Sequence, residues 1–518
     1  IKMDISDWYV AWKIGIICCI SFVFSIFLEK LSFMNIFLNI KSVRMLFLGF
    51  SSGLPILLVF STLSVWLVKA GVSRSTITMF SWAALAYSFK FIWSPVIDNL
   101  KVPIQNFGHR KSWLLISQLM VIFSLIFISF TDPSKTLIFT AIGSVLIAFS
   151  SASQDIIIDA YRIESAPQKM QGALSSMYIA GYRVAMLIAG AGSLYLASFF
   201  GVEVYDVNVW KKVYLIMASL MLVGVFTTLS SPEPNIKRKV SNLSFPDQLR
   251  FLISFILAVI IFVVTYSLLK SPFNNEDPLI NFLYALIRIS LCFVGSGFII
   301  YFLISINFIK KNSASIAYVE PVTNFINRYG KTAFLILLLI GLYRIADIVM
   351  GVVANIFYLD KGYNVKEIAT YSKFFGVFAT IVGGIIGGYS AIKVGTLKAL
   401  FFGALIAAGS NLLFAWLAIS DPNIKTLIIV ITADNISSGF AGAAFVVYLS
   451  ALTSIKFTAT QYALFSSLML LLPKVLAGYS GAIVDQMGYA NFYIFTAIIG
   501  IPVLLLIIWI AKIAPVKD

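Results

Sequence analysis

The composition of the chain excludes a set of soluble globular domains. Of its 518 residues, 60% are hydrophobic and only 12% are charged, which is far too apolar for soluble domains. The formal net charge of +16 is compatible with nucleic-acid binding, but the basic residues lie in short segments between apolar runs. The positive-inside rule accounts for that placement, so we expect a protein that crosses a lipid bilayer many times and binds no nucleic acid.

Fourteen apolar runs follow one another along the chain, each near the length needed to cross roughly 30 Å of hydrocarbon. The runs are continuous rather than alternating, which predicts α-helices and an all-α polytopic membrane protein. In chain order they cover 45–66, 76–97, 112–130, 136–155, 173–200, 210–230, 250–269, 279–308, 332–357, 367–390, 396–418, 424–453, 460–484 and 489–513. A shorter run at 14–28 predicts an extra helix, an interfacial helix or a signal-like segment.

Lysine and arginine concentrate in alternate loops, which sets the predicted orientation of the bundle. One set of loops holds most of them, including Arg110, Lys111, Lys169, Lys237 and Lys456, whereas the opposite loops hold few. Basic loops stay on the cytoplasmic side of a membrane. The main bundle is therefore predicted to begin and end in the cytoplasm.

The sequence contains no pattern typical of an enzyme. It has no glycine-rich phosphate loop, zinc motif or Ser/His/Asp arrangement, and the single histidine, His109, lies in a basic loop. Cys18, Cys19 and Cys292 lie in apolar runs without metal-type spacing. We therefore expect no catalytic residues, no metal and no cofactor. Any proton coupling inside the membrane has to use carboxylates.

The chain contains a weak internal repeat. The segment around Ser175 resembles the segment around Ser466, an offset of 291 positions (175 to 466), and the same offset matches Arg183 with Lys474. Two parallel repeats of six helices are typical of the major facilitator architecture, in which the substrate site lies between the halves. At this offset Asp155 and Asp159 match Val446 and Ser450, so the acidic pair is not a repeated scaffold feature.

The repeat divides the chain into four predicted parts. We expect a hydrophobic or interfacial N-terminal segment at 1–40 and six-helix bundles at 41–232 and 331–518. Between the bundles, 233–330 is predicted to be a linker that carries an inserted two-helix transmembrane hairpin, because fourteen runs exceed two sets of six by two. A peripheral position is the simplest interpretation of this hairpin. The sequence does not indicate its role or the oligomeric state.

Five segments in the same order and spacing resemble the AmpG-type muropeptide permeases, in the peptide and acetyl-coenzyme A transporter branch of the major facilitators. They are 48–55, 89–98, 152–159, 181–183 and 457–465. The resemblance covers nearly the whole chain. It implies proton-driven import of anhydro-muropeptides, which are GlcNAc-anhydro-MurNAc peptides released in cell-wall turnover, from periplasm to cytoplasm across a bacterial inner membrane. The cargo, protons and the bilayer are the implied partners.

Two other hypotheses stay open. The same branch includes carriers similar to acetyl-coenzyme A transporters, so the cargo could be acetyl-coenzyme A or another anionic metabolite. A membrane sensor that has lost transport is a third possibility. The presence of Lys90, Gln154, Asp155 and Arg183 argues against the sensor, because a degenerate transporter has no need to keep charge inside the membrane.

The stretch 151–162 is the strongest candidate for chemistry inside the membrane. Asp155 and Asp159 are four residues apart and share one face of a helix, and Arg162 follows one turn later. Carboxylates at the end of a membrane helix are costly and need a function. We expect Asp155, beside Gln154, to carry the coupled proton. For Asp159 and Arg162 we favour a role in the cytoplasmic gate, with proton carriage by Asp159 as the alternative.

Several cations and aromatic residues are candidates for binding an anionic, sugar-bearing cargo. Lys90 and Arg183 have no acidic residue within a helical turn and must find a partner on another helix, in Asp155 or in the substrate. Arg344 and Asp347 are three apart and can neutralise one another, and Asp347 is a second candidate proton site. The predicted substrate-binding residues are Lys90, Tyr87, Trp93, Gln154, Tyr182, Arg183, Arg344, Lys373 and Lys474.

Asp98 together with Arg110 and Lys111 resembles the gate motif that major facilitators carry between their second and third helices. These three residues are predicted to act in gating rather than in substrate binding. In the second half, Asp434 and the small residues up to Ala444 indicate close helix packing, as do the glycine pairs at 383–384 and 387–388.

Overall fold

The protein is almost entirely helical in the residues that the structure describes. The structure, a computed structural model, describes residues 35–73, 76–77, 80, 83, 85–100, 107–201, 205–236, 245–269, 278–364, 367–477 and 480–513. The predicted apolar run at 14–28 lies outside the described residues, as does most of the segment 1–40.

The helices follow the apolar runs along the first half of the chain. They are α1 (Ile40–Lys69), α2 (Leu85–Phe89), α3 (Ser94–Asn99), α4 (His109–Ser129), α5 (Leu137–Ser165), α6 (Gln168–Phe199), α7 (Val207–Ser230), α8 (Phe245–Leu268) and α9 (Pro278–Ser305). A π-helical turn at Ile188–Gly192 lies inside α6, and α1 bends at Phe60.

The second half continues with a short surface helix and six longer ones. These are α10 (Glu320–Tyr329), α11 (Thr332–Asp360), α12 (Thr370–Val394), α13 (Thr396–Ile419), α14 (Ile424–Leu452), α15 (Thr458–Ala477) and α16 (Ser480–Ile513). A short helix, Lys311–Ala314, and a π-helical turn, Ser315–Val319, lead into α10. Gly488 interrupts α16 with a φ of 77°.

Eleven of the described helices are long and apolar enough to cross a membrane. Three other predicted runs, 76–97, 279–308 and 460–484, contain residues or side chains outside the described set. The count of fourteen spans and the insertion of a hairpin therefore remain predictions. The chain is nevertheless a multi-pass, all-helical membrane protein, as its composition predicted.

Two predicted runs differ from the observed helices in ways that matter for the site. The run expected to end at residue 155 continues as α5 to Ser165, so Asp155 and Asp159 lie within a helix rather than at its end. The run 76–97 is not one continuous helix, because a 3₁₀ turn at Lys90–Ile92 separates α2 from α3. Pro95 has no N–H, which removes a helical hydrogen bond at this break.

The core divides into two main clusters of buried side chains. One is built on α1 and α4–α7 and includes the stacked rings of Trp66 and Trp210, 5.8 Å apart. The other is built on α11 and α13–α16 and includes Phe414 and Tyr493, whose rings are 5.1 Å apart. Two cores are what two packed bundles require, while the domain boundaries at 40, 232 and 330 stay predictions.

Glycines allow the backbones of α12 and α14 to approach closely. A Cβ atom at Gly383 would lie 2.1 Å from the carbonyl oxygen of Ile436, and one at Gly439 would lie 2.1 Å from that of Thr380. Neither position has room for a side chain. The close packing predicted for these two helices is confirmed.

Candidate functional site

The buried end of α5 joins two cations through one carboxylate. The Oδ2 atom of Asp159 lies 3.7 Å from the Nζ atom of Lys90, and its Oδ1 atom lies 3.4 Å from the Nη2 atom of Arg162. All three side chains are buried. Lys90 therefore finds its partner on another helix, and that partner is Asp159 rather than Asp155. The ion pair expected between Asp159 and Arg162 is present.

Asp155 has a different environment, made of hydroxyl groups. It accepts a short hydrogen bond from Ser52 on α1, and the Ser52 hydroxyl lies 2.8 Å from that of Tyr178 on α6. Among the described residues, no cation lies within ion-pair distance of Asp155. Protonating Asp155 thus breaks no ion pair, whereas protonating Asp159 takes the counter-ion from two cations.

Gln154 is fully buried beside these carboxylates. Its Oε1 atom accepts a hydrogen bond from Ser51 at 3.1 Å. Its Nε2 atom has no hydrogen-bond partner among the described residues. A buried amide that keeps free donors is costly unless a ligand or a water molecule uses them.

The predicted aromatic residues are not equally accessible. Tyr87 and Trp93 are buried in the first core cluster. The indole N–H of Trp93 donates to Ser153 at 3.0 Å, and its ring packs on Phe149 with centroids 4.9 Å apart. Tyr182 is half-buried, with its ring 6.0 Å from that of Tyr178. In this conformation Tyr182 is the most accessible of the three predicted aromatic residues.

Arg344 and Asp347 pair across a break in α11. The helix is interrupted at Tyr343 and Arg344, and the guanidinium then bonds to the Asp347 carboxylate through two nitrogens, Nε at 2.8 Å. This confirms that the two residues neutralise one another. The pair borders a small cavity whose walls include Ala404, Ala441 and Val503.

Arg183 on α6, in the other half, interacts electrostatically with both Arg344 and Asp347. Among the described residues, no carboxylate lies within ion-pair distance of Arg183, and its Nη1 atom lies 4.0 Å from the Sδ atom of Met186. Arg183 and Arg344, one cation from each half, thus interact electrostatically, and in the described part of the chain only Arg344 forms an ion pair.

The two remaining predicted cations are Lys474 and Lys373. The Nζ atom of Lys474 on α15 donates to Ser88 Oγ on α2 at 3.3 Å, which joins the two halves next to Lys90. The side chain of Lys373 lies outside the described residues.

A second group of charges lies at the end of the bundle that carries the basic loops. Arg110 bonds to Asp98 at 2.8 Å and to Glu164 at 2.7 Å, with Arg110 and Glu164 both buried. The other oxygen of Asp98 accepts from the backbone N–H and the hydroxyl of Thr460, each at 2.8 Å. Because Thr460 lies in the first turn of α15, Asp98 connects the halves at the positive end of a helix.

Lys111 does not join this group of charges. Its ammonium donates to the carbonyl oxygen of Leu229 at 3.2 Å, and its backbone N–H donates to Glu233 at 3.0 Å. Glu233 also accepts from the backbone N–H of Arg110. Lys111 therefore ties α4 to the end of α7 rather than pairing with Asp98.

The two halves also touch through Arg162 and through small residues. Arg162 donates to Ser450 on α14 at 2.9 Å, and its guanidinium lies 5.3 Å from the ring of Tyr462 on α15. Ser176 on α6 donates to the carbonyl oxygen of Gly384 on α12 at 2.8 Å. These contacts and the one between Asp98 and Thr460 all lie at the basic end of the bundle, which is closed.

Sequence reasoning missed several partners in these networks. They are Ser51, Ser52, Tyr178, Glu164, Glu233, Ser450 and Thr460. Thr460 lies inside one of the five family-like segments, which was the available signal, but its partner is 362 positions away in the chain. Ser51 and Ser52 on α1 lie inside another of these segments, 48–55, whereas Tyr178 on α6 offered no signal, because tyrosine is common in membrane helices.

Comparison with known proteins gives the class of the molecule. Residues 42–198 match the family model described as "Acetyl-coenzyme A transporter 1". A putative AmpG 4 transporter of Rickettsia felis is 31% identical over 92% of this chain and 98% of its own length. The anhydromuropeptide permease of Escherichia coli is 28% identical over 92% of this chain and 81% of its own length.

A solved structure shows the same fold. The major facilitator transporter FucP in its outward conformation superposes with a TM-score of 0.58 at 10% identity, over 92% of this chain and 99% of its own. The fold is that of the major facilitator superfamily, and the molecule is a membrane transporter of this class. Within it, the chain belongs to the AmpG family. The predicted family is confirmed, as is a transporter rather than an enzyme.

Proposed function

We propose that the chain is a proton-coupled importer of anhydro-muropeptides, which carries GlcNAc-anhydro-MurNAc peptides from periplasm to cytoplasm across the bacterial inner membrane. The observation that carries the proposal is Arg183, a cation inside a span that has no carboxylate within ion-pair distance among the described residues and that interacts electrostatically with Arg344 and Asp347 of the other half. A cation inside a membrane protein requires a negative partner, and an anionic cargo supplies one. The name of the Escherichia coli relative gives the cargo its identity.

The chemistry of muropeptides suits the residues around these cations. Peptide carboxylates would bind Arg183 and Arg344 through charge-assisted hydrogen bonds. The free Nε2 atom of Gln154 can donate to a peptide carbonyl, and Tyr182 offers a half-buried ring to a sugar. Lys90, Lys373 and Lys474 are further proposed cargo contacts, together with Tyr87 and Trp93 once a rearrangement exposes them.

Asp155 is the proposed proton carrier. Its hydroxyl partner Ser52, which in turn bonds to the Tyr178 hydroxyl, suits either protonation state, since a hydroxyl both donates and accepts. No ion pair opposes its protonation among the described residues. Asp347 is the second proposed carrier, because its protonation would release Arg344 to bind a cargo carboxylate.

Gating is proposed for the charges at the basic end. Asp98, Arg110, Asp159 and Arg162 hold the halves together there through Thr460 and Ser450. Lys111 would contribute by fixing the loop that carries Arg110. The basic end is predicted to face the cytoplasm, so the closed contacts correspond to an outward-facing carrier that is ready to accept cargo from the periplasm.

Acetyl-coenzyme A or another anionic metabolite is the second candidate cargo. The match of 42–198 to the acetyl-coenzyme A transporter model favours it, and the same cations would bind its phosphates. A pyrophosphate and a peptide carboxylate would form similar charge-assisted hydrogen bonds with Arg183 and Arg344. The two cargoes are therefore separated by direct measurement of uptake.

The test is uptake of radiolabelled GlcNAc-anhydro-MurNAc tripeptide into proteoliposomes that contain the purified protein, with an imposed pH gradient. We expect uptake that an uncoupler abolishes and that unlabelled muropeptide competes. Labelled acetyl-coenzyme A in the same vesicles is the parallel arm. Uptake of acetyl-coenzyme A alone would replace the proposed cargo, and uptake of neither by folded, correctly oriented protein would favour the non-transporting sensor.

A further inference from the structure

The hairpin α8–α9 packs directly on the broken second helix. The ring of Phe293 on α9 lies 5.3 Å from the ring of Phe89 on α2, next to Lys90, and 5.1 Å from Phe262 on α8. A separate buried cluster joins Val96 and Leu100, at the end of the broken helix, to the hairpin and its following segment through Phe251, Leu303, Ile309 and Ala317. The hairpin is therefore not a detached peripheral element.

The break between α2 and α3 leaves backbone carbonyls that need hydrogen-bond donors. Pro95 has no N–H to give to Phe91, and the N–H of Val96 donates to Trp93 rather than to Ile92. The hydroxyl of Ser94 donates to the Phe91 carbonyl at 3.0 Å. In an apolar membrane segment each freed carbonyl has to be satisfied from within the protein.

The carbonyl oxygen of Ile92 accepts a hydrogen bond from a residue outside the first six-helix bundle. The hydroxyl of Tyr318, in the π-helical turn that follows the hairpin, donates to it at 3.2 Å. The ring of Tyr318 lies 6.0 Å from Phe251 on α8, so the same side chain contacts both the hairpin and the break. The segment after the hairpin thus supplies a bond that the broken helix lacks.

The same segment is held to the second half of the molecule. Gln461 on α15 donates to the carbonyl oxygen of Pro321 at 2.7 Å, and its Oε1 atom accepts from Arg328 at 3.0 Å. Arg328 also donates to the Leu452 carbonyl at 2.9 Å. Gln461 is the neighbour of Thr460, which bonds to Asp98 on α3. The contacts therefore surround the connection between the halves.

We propose that α8, α9 and the segment Ser315–Tyr329 form a brace that sets the position of α2 and α3, and with them Lys90 and Asp98. The helix α3 contains six residues, which is too short to be stable without tertiary support, and the 3₁₀ turn separates it from α2. Contacts from the brace fix the position of α2 and α3, and with it the position at which Lys90 contacts Asp159 and Asp98 contacts Thr460. Phe293 and Tyr318 are positioning residues, and the proposal does not depend on the cargo.

Two substitutions test the brace without touching the charged residues. Tyr318→Phe removes only the hydroxyl that bonds to Ile92, and Phe293→Ala removes the ring that packs on Phe89. The matched controls are Tyr301→Phe and Phe298→Ala, which change the same residue types at positions of α9 that are 70% and 69% exposed. All four variants are made in the full-length protein with its cysteines replaced.

Two measurements on these variants read out helix position and the state of the gate. Hydrogen exchange of peptides covering 85–100 should be about fivefold faster in both test variants and unchanged in both controls, since one hydrogen bond or ring contact is lost. Spin labels at the exposed residues Lys169 and Lys456, one in each half, should show an added population at longer distance in the test variants alone.

Any of three results would overturn the proposal. Exchange at 85–100 that matches wild type in both test variants would show that the hairpin does not support the broken helix. Faster exchange with an unchanged distance distribution would show local support without any effect on the gate. Faster exchange in the control variants as well would mean that any change in the hairpin loosens the region, which also removes the specific roles of Phe293 and Tyr318.

Discussion

The two halves of the bundle carry their buried charge in different ways. In the first half, Asp159 on α5 joins Arg162 on the same helix to Lys90 in the 3₁₀ turn, and a second group forms around Arg110. In the second half, the described ion pairs inside the spans reduce to Arg344 with Asp347 on one helix. Among the described residues, ion pairs that join different elements inside the spans therefore occur in the first half, whereas the pair in the second half lies within one helix.

Arg162 shows how the asymmetry joins the halves. It bonds to Asp159 at 3.4 Å in its own half and to Ser450 at 2.9 Å in the other. Ser450 is the position that matches Asp159 at the offset of 291 residues. The buried Arg162 guanidinium therefore lies between two positions that the repeat makes equivalent, Asp159 and Ser450, of which only Asp159 is charged. Its hydrogen bonds to both residues join the two halves.

The second helices of the two halves differ as well. At the same offset, Gly383 on α12 matches Ile92 in the 3₁₀ turn of the first half. The helix α12 is held by glycine contacts to α14, while the broken α2–α3 is held by side-chain contacts from the hairpin. Equivalent helices have thus been stabilised by different means.

The largest effect is expected for Arg162→Ala. The substitution leaves Asp159 with only Lys90 and removes the bond to Ser450, and breaking a buried ion pair costs about 3–5 kcal/mol. Arg344→Ala, at a pair that is partly exposed, should cost clearly less. Thermal unfolding in detergent compares the two variants. Equal losses would contradict the difference between the halves.

Asp155→Asn should separate coupling from binding in the first half. The neutral amide can still bond to Ser52 but cannot exchange a proton, so accumulation of cargo against a gradient is lost while exchange of labelled for unlabelled cargo continues. Asp159→Asn is the comparison, and it should impair both activities because it leaves two cations unpaired. Undiminished accumulation by the Asp155→Asn variant would remove Asp155 as the proton carrier.

Gly383→Ala should destabilise the second half by about 1–3 kcal/mol, because the added methyl group meets the backbone of Ile436 at 2.1 Å. Gly409→Ala on α13 is the matched control, since nothing lies within 4 Å of its Cβ position. The control should be neutral or slightly stabilising, as alanine is the better helix former. Loss of stability in the control but not in the test variant would contradict the packing argument.

The smallest effect on stability is expected in two loops outside the membrane, which the offset of 291 residues places at equivalent positions. Burial by itself raises the pKa of Asp132, but hydrogen bonds from Ser134 and Tyr205 outweigh burial and lower the pKa of Asp132 below its usual 3.8. Ionised Asp132 therefore stabilises the fold above about pH 4, and this contribution is lost as the pH falls through the folded-state pKa. Asn423, at the same offset, carries no charge.

Asp132→Asn should accordingly lower the melting temperature slightly at pH 7 and by less toward pH 3. Asn423→Ala removes the hydrogen bond that caps α14 and should have the same effect at both pH values. The measurement is thermal unfolding of the two variants across this pH range. A pH-independent loss in the Asp132 variant would exclude an ionic contribution from the first loop.

The sequence was sufficient to predict the class and the family, because apolar length and repeated motifs are properties of contiguous residues. It failed where the outcome depends on tertiary partners. Pro95 lies near the end of the predicted run 76–97, and whether such a run kinks or breaks depends on donors such as Tyr318, which is 226 positions from the Ile92 carbonyl that it bonds to. The extension of α5 to Ser165 likewise depends on Arg110 as a partner for Glu164.

The candidate site was predicted in part for the same reason. Pairs close in sequence, such as Asp159 with Arg162 and Arg344 with Asp347, follow from helical spacing and are present. Lys90 pairs with a carboxylate on another helix, and no spacing rule selects Asp159 over Asp155. Lys111 was assigned to the gate with Arg110, but adjacent residues on a helix point in different directions, and its ammonium bonds to Leu229.

The contact between α6 and α12 affects the free energy needed to separate the two halves when the carrier changes from its outward-facing to its inward-facing conformation. A Cβ atom at Gly172 would lie 2.3 Å from the Gly388 carbonyl oxygen and 2.7 Å from the Ile392 side chain, so the two helices are in close contact at this position. Ser176 bonds to Gly384 in the other half and also to Gly172 in its own helix, at 2.9 Å. When the halves separate, its hydroxyl keeps an acceptor, and this joint can reopen in every cycle without leaving a polar group unsatisfied.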